Sequence, residues 1–191
     1  MTERRKRRIE EVLSKRQHDL VLVLEDLYKE HNVSAIIRSA DAFGVLRIYV
    51  VKEGEFRYAP SVSRGSEEWV DVIVTSSIED VLVELKGKGF QIVATYLGEG
   101  TVRPEEVDFT LPTAIVLGNE LEGVSEKVIE ISDVRVKIPT IGMVTSLNVS
   151  VACGILLYEA MKQRERKGFF RERRLPPELY EWMRKRWMEN T

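Results

Sequence analysis

Three short stretches place amide, hydroxyl, carboxylate and guanidinium side chains where apolar segments begin or end. In IPTIGMVTSLNVSVACGILLYEA (138–160), Ser146, Asn148 and Ser150 arrive just as an apolar helix starts. Small polar residues at a strand-to-helix change can cap backbone N–H groups, and they can aim several donors at a ligand beyond the strand's carboxyl end. Core packing alone does not ask for Ser-Leu-Asn-Val-Ser. In NVSAIIRSADAFG (32–44), Arg38 follows Asn32 by six residues on a segment whose other inward positions are Ala, Ile and Phe. A lone Arg there can be a structural ion-pair partner, for instance of Asp41. In AIVLGNELEG (114–123), Asn119 and Glu120 stand at the end of a strand, which in a parallel sheet faces the ligand crevice. The plainer alternative is a strand-to-helix turn with a capping Asn. No GxGxxG or P-loop pattern is present, so a dinucleotide or triphosphate site is not supported. Two His and one Cys are too few and too scattered for a metal cluster, and no metal is expected.

Positioning these groups requires a framework, and the pattern supplies one. Residues 4–16 read as a basic helix with Ile9, Val12 and Leu13 as a narrow apolar stripe. Strands are predicted at 19–26, 46–51, 70–74, 90–96, 113–117 and 134–139, from their β-branched and apolar runs. Helices are predicted at 33–43, with Asn32 as N-cap, and at 78–88, capped by Ser77 with Asp80 as a capping-box-like acid. Further helices are predicted at 125–132, from 149 onward and at 178–188. The stretch 52–68 reads as a polar loop. Strands alternating with helices predict an α/β fold with a mostly parallel sheet covered on both faces. In the last helix Tyr180, Trp182, Met183 and Trp187 make no single clean stripe, and Arg184, Lys185 and Arg186 interrupt them. Aromatics interleaved with bases can stack on RNA, whereas docking on the helix's own domain or a second subunit is the better reading for the Trp residues.

Charge is distributed unevenly. Residues 1–16 carry a balance of +4 and residues 162–191 one of +5, so the middle holds −11 within a net charge of −2. An acidic body with two basic ends is expected where the ends touch a polyanion, and it is also what solvated helix ends look like. Arg4, Arg5, Arg7, Arg8, Arg16, Arg164, Arg171 and Arg173 are the candidate RNA-binding residues. The 191 residues suffice for one α/β domain, expected at 19–165, between a basic N-terminal helix (1–18) and a basic, aromatic C-terminal extension (166–191). No apolar run reaches membrane-spanning length, and the N-terminus lacks the apolar core of a secretory signal. Cys153, the single cysteine, lies in the apolar helix and reads as inert core in a reducing, cytoplasmic setting.

Together the three stretches closely resemble the three motifs of the SpoU/TrmH branch of the SPOUT RNA ribose methyltransferases, in order and spacing, over roughly residues 16–165. KRQHDLVLVLED (15–26) and the basic ends look like the tRNA-modifying group in particular. The resemblance implies a deep C-terminal trefoil knot, a homodimer, and S-adenosylmethionine bound inside the knot. It implies cofactor contacts at Thr95, Tyr96, Leu97, Leu117, Gly118, Asn119, Gly123, Ile138, Met143, Ser146 and Leu147. Asn32, Arg38, Glu120, Ser146 and Asn148 match the catalytic and substrate-positioning residues. The implied reaction is methylation of a ribose 2′-hydroxyl of tRNA, foremost guanosine 18 of the D-loop. Alternatives are another tRNA position or rRNA, and, in a different class, a non-catalytic RNA-binding protein of the same fold. Because arginine has a very high pKa, Arg38 is expected to clamp a phosphate and stabilise alkoxide character rather than act as a base. Glu120 is expected to fix a loop, and His31 to be a neighbour of the site.

Overall fold

No charged residue interrupts 20–24, 48–51 or 113–117, so these strands are apolar on both faces. Such strands must be covered on both sides, which favours a parallel sheet between layers of helices. The computed structural model describes residues 1–52, 54 and 65–189. They include β1 (Gln17–Glu25), β2 (Val45–Val51), β3 (Asp71–Thr75), β4 (Gln91–Thr95), β5 (Thr113–Leu117) and β6 (Val134–Val136). The strands are ordered β3-β2-β1-β5-β4-β6, and every neighbouring pair is parallel. The helices are α1 (Glu3–Ser14), α2 (Glu30–Ala42), α3 (Ile78–Gly87), α4 (Glu126–Ile131), α5 (Val149–Arg166) and α6 (Pro177–Glu189).

Alternation along β1 separates the two cores. Leu20, Leu22 and Leu24 pack with Ile36 and Ile37 of α2 and with Leu156 and Leu157 of α5. Val21 and Val23 point the other way, toward Leu82 and Leu85 of α3 and Val128 of α4. Cys153 is buried and unpaired, and burial pushes its thiol pKa up. A third cluster joins the chain ends: Ile9 and Leu13 of α1 meet Tyr180, Met183 and Trp187 of α6, with Leu46 and Leu175. Tyr180, Met183 and Trp187 therefore do share a face, and Trp182 stands out, 53% exposed.

Topology fixes where a ligand can sit. β1 hands the chain to β2 on one side, while β5 hands it to β6 beyond β4 on the other. Such a reversal opens a crevice past the carboxyl ends of the central strands. The last strand is shorter than expected: its ladder with β4 ends at Thr95 opposite Val136, and residues 137–148 then run irregularly to α5. Among the described residues no helix is long and apolar enough to cross a membrane. Most of the polar loop expected at 52–68 lies outside the described residues; Ser66–Glu68 within it forms a 3-10 turn.

Candidate active site

A cavity of about 450 Å³ opens past the carboxyl ends of β4, β5 and β6, within the size range of small-molecule sites. Three chain segments build its wall: 95–98 after β4, 117–124 after β5, and 136–138 with 146–149 around the return to α5. Leu117, Val136, Ile138, Leu147 and Leu156 supply its apolar part, Thr95, Asn119, Glu120, Ser146 and Asn148 its polar part, and Lys29 and Lys137 add the cations. The 118–124 segment folds back on itself closely. A Cβ at Gly118 would lie 2.2 Å from the Gly123 carbonyl carbon and the Val124 nitrogen, so only glycine fits. Gly123 closes the turn with φ of 76°, a conformation glycine adopts at no steric cost.

One line of hydrogen bonds crosses the mouth of this cavity. Asn32 Nδ2 donates to Glu120 Oε1 at 2.6 Å, and Asn148 Nδ2 donates to Asn32 Oδ1 at 3.1 Å. Glu120 also accepts from the backbone N–H groups of Tyr28 (3.1 Å) and Lys29 (3.3 Å), just before α2 begins. Asn148 caps α5, its Oδ1 accepting from the Ser150 N–H at 2.8 Å and the Ser150 hydroxyl at 2.6 Å. Three residues far apart in sequence thus tie the N-termini of α2 and α5 to the loop after β5. Burial pulls the Glu120 pKa up, but the donors from Asn32, Tyr28, Lys29 and its own backbone outweigh it, and the net shift is downward. Glu120 is an ionised, well-bonded carboxylate, suited to holding a loop and unsuited to accepting a proton.

A model of the SpoU rRNA Methylase family matches residues 19–158. The chain belongs to this family. It is 46% identical over 187 residues to the tRNA (guanosine(18)-2'-O)-methyltransferase of Aquifex aeolicus (strain VF5), spanning 97% of this chain and 89% of the relative. The crystal structure of the A. aeolicus TrmH/SpoU tRNA modifying enzyme matches with a TM-score of 0.93 at 44% identity, covering 98% of this chain and 96% of that one. The SpoU methyltransferase AviRb from Streptomyces viridochromogenes, solved in complex with the cofactor AdoMet, matches with a TM-score of 0.69 at 29% identity. It covers 78% of this chain and 59% of that one.

Within this SpoU fold most of the residues named from sequence meet. Thr95, Tyr96, Leu97, Leu117, Gly118, Asn119, Glu120, Gly123, Ile138, Ser146, Leu147 and Asn148 all line the cavity, and Asn32 joins through Glu120 and Asn148. Four expectations need correction. Asn32 is not the N-cap of α2: the helix starts at Glu30, Lys29 is its N-cap, and Asn32 is buried in the first turn where it serves Glu120. Met143 is not part of the cavity wall but fully exposed beside Ile141, because only the two ends of the 137–148 segment fold inward.

Arg38 is not the ion-pair partner of Asp41, and it stands outside the cavity wall. It is exposed, with no hydrogen bond or ion pair among the described residues, and Asp41 pairs with Arg16 instead. Six residues advance an α-helix about 9 Å and turn it well away from the Asn32 face. The fourth correction concerns Arg16 and Arg164, both 0% exposed and so unable to touch RNA directly. Arg16 donates to the carbonyls of Asp41 and Val45 and lies over the Trp187 ring. Arg164 donates to Asp19 at 2.5 Å, to Gln17, and to the carbonyls of Asp19, Phe109 and Leu111. Arg4, Arg5, Arg7, Arg8, Arg171 and Arg173 remain exposed.

Sequence reading passed over Lys29, Lys137 and Glu25. Glu25 ends an apolar strand yet is buried, and it accepts from the Ser125 N–H (2.8 Å) and hydroxyl (2.6 Å) at the start of α4. An acid closing the run VLVLE was the signal available. Among the described residues no group of three His, Cys, Asp or Glu side chains is placed to hold a metal.

Proposed function

We propose that this chain is an S-adenosylmethionine-dependent methyltransferase acting on the ribose 2′-hydroxyl of guanosine 18 in the D-loop of tRNA. The carrying observation is the bonded line Glu120–Asn32–Asn148, whose two ends line the cavity past the strand ends, in a chain 46% identical to an enzyme named for that reaction. The cavity suits the cofactor: its apolar side chains accept an adenine, and Gly118 lets the loop after β5 close tightly on Gly123 and Val124 to form one wall. Backbone groups at 95–97, 117–123, 138 and 146–147 would hold it, and when bound it supplies an electrophilic methyl group.

The protein's own part is orientation and charge. Asn32 and Asn148, locked to each other, would align the ribose, while Ser146 offers a hydroxyl from the cavity wall. Arg38, outside the wall, would clamp the phosphate beside the ribose, and the hydroxyl proton would pass to water. A knotted threading of the 137–148 segment is the expectation that membership of the SpoU family supports. Val151, Ile155 and Tyr158 form an exposed stripe on α5, which supports a homodimer joined along that helix. The exposed arginines of α1 and of the 171–173 joint would hold the tRNA outside the catalytic domain.

Methyl incorporation into a tRNA transcript, with and without guanosine at position 18, tests the reading. Transfer that maps to that ribose and vanishes with the guanosine is expected. Transfer to another nucleotide would overturn the site, and no transfer despite cofactor binding would leave a binding protein.

A further inference from the structure

Asn119 lines the cavity, yet its side chain is almost wholly committed elsewhere. It is buried at the end of β5; its Oδ1 accepts from the backbone N–H groups of Leu121 (2.8 Å) and Glu122 (3.3 Å). Its Nδ2 donates to the Asp26 carbonyl at 3.1 Å. An amide oxygen has two lone pairs, so the acceptor is filled, and one N–H is left over. A ligand in the cavity finds little of this side chain to read.

The other end of that bond is unusual. Asp26 has φ of 48°, and it is the one non-glycine among the described residues in the left-handed region. Such a conformation persists only where its surroundings hold it. Two bonds do so here: the Asp26 N–H donates to the Val51 carbonyl at 3.0 Å, and its own carbonyl receives Asn119. The turn that Asp26 starts then presents the N–H groups of Tyr28 and Lys29 to Glu120. Two consecutive residues, 119 and 120, therefore grip two points of the same turn, one as donor and one as acceptor. Glu25, immediately before the turn, grips Ser125 beyond the loop.

We propose that Asn119 is a positioning residue for the methyl transfer: by holding the Asp26 carbonyl it fixes the left-handed turn whose N–H groups grip Glu120, and so sets Asn32 and Asn148. The proposal rests on the methyltransferase reading for its catalytic consequence. Its structural content is independent of that reading.

Asn119→Asp removes the donor while the carboxylate keeps the acceptor for Leu121 and Glu122; an acceptor-only oxygen then faces the Asp26 carbonyl, so the turn is released. We expect kcat to fall by about 10- to 100-fold, the effect of a small misplacement of orienting groups, with cofactor affinity within about threefold of wild type. Asp26→Gly, placed in the Asn119→Asp background, should recover most of the loss, because glycine adopts the left-handed turn without being held. A fall in cofactor affinity in place of kcat, or a kcat loss that Asp26→Gly does not relieve, would overturn the proposal in favour of a direct interaction with the ligand. Unchanged kcat would overturn it outright. Amide hydrogen exchange at Tyr28 and Lys29 provides the second arm. It should accelerate in Asn119→Asp and slow again in the double variant, and unaltered exchange would refute the clasp even if wild-type protein proved to methylate no tRNA.

Discussion

Arg38 and Glu120 are opposites at the scale of single residues. Glu120 is held by every neighbour it has in the line, whereas Arg38 has no partner among the described residues and costs the fold nothing to change. Arg38→Ala should therefore leave unfolding free energy within about 0.5 kcal/mol of wild type, as expected for an exposed site free of such bonds. Its methyl transfer should be abolished while cofactor binding persists. Arg38→Lys should also lose most transfer, because one ammonium does not reproduce a guanidinium fork on phosphate. Near-normal turnover of the lysine variant, measured with saturating cofactor, would remove Arg38 from the chemistry.

Individual elements are joined by buried charge as well as by apolar packing. Arg164 in the last turn of α5 and Arg174 in the joint before α6 both bind the carboxylate of Asp19, near the start of β1. Burial raises the Asp19 pKa, but the two guanidinium groups outweigh it, so the folded-state pKa lies below the ordinary value of 3.8. A depressed carboxylate contributes stability that is complete above its unfolded pKa and is lost as pH falls through the folded one. Stability should thus hold from neutral pH to about pH 4 and fall steeply below it. Asp19→Asn should lower stability at pH 7 and flatten that acid limb in denaturant titrations; an unchanged limb would mean other carboxylates govern acid unfolding. Removing Arg164 instead would leave Asp19 half-paired in the interior, a change that costs about 3–5 kcal/mol.

The whole molecule brings its two basic ends together. α1 and α6 share a small core around Trp187, reinforced by Arg184 donating to Glu10 at 2.7 Å, and Arg186 anchors α6 to Asp71 of β3 at 3.1 Å. The positive charge at the termini is thereby gathered on one edge of an acidic body. Arg4→Gln and Arg7→Gln should weaken tRNA binding, and every arginine–phosphate pair removed should reduce the slope of log K against log salt by about 1. Arg16→Gln should act differently, through thermal stability, since its guanidinium is sealed under Trp187. An unchanged slope in the first pair would show those arginines to be merely solvated.

The three motifs, the alternation of strand and helix, and the charged ends were all legible in the residues themselves, because periodicity and capping chemistry are local. Strand 113–117 and the cap at Ser77 needed no partner to be read. What only tertiary structure decided is which polar groups face one another. Asn32 looks like a cap by position, but the helix starts before it, and Glu120, 88 residues away, takes its side chain. Arg16 and Arg164 look like surface bases by composition, but Asp41 and Asp19 meet them in the interior. A side chain's type sets what it can bond; only the packing of distant segments decides whether water, RNA or a buried carboxylate is the partner it finds.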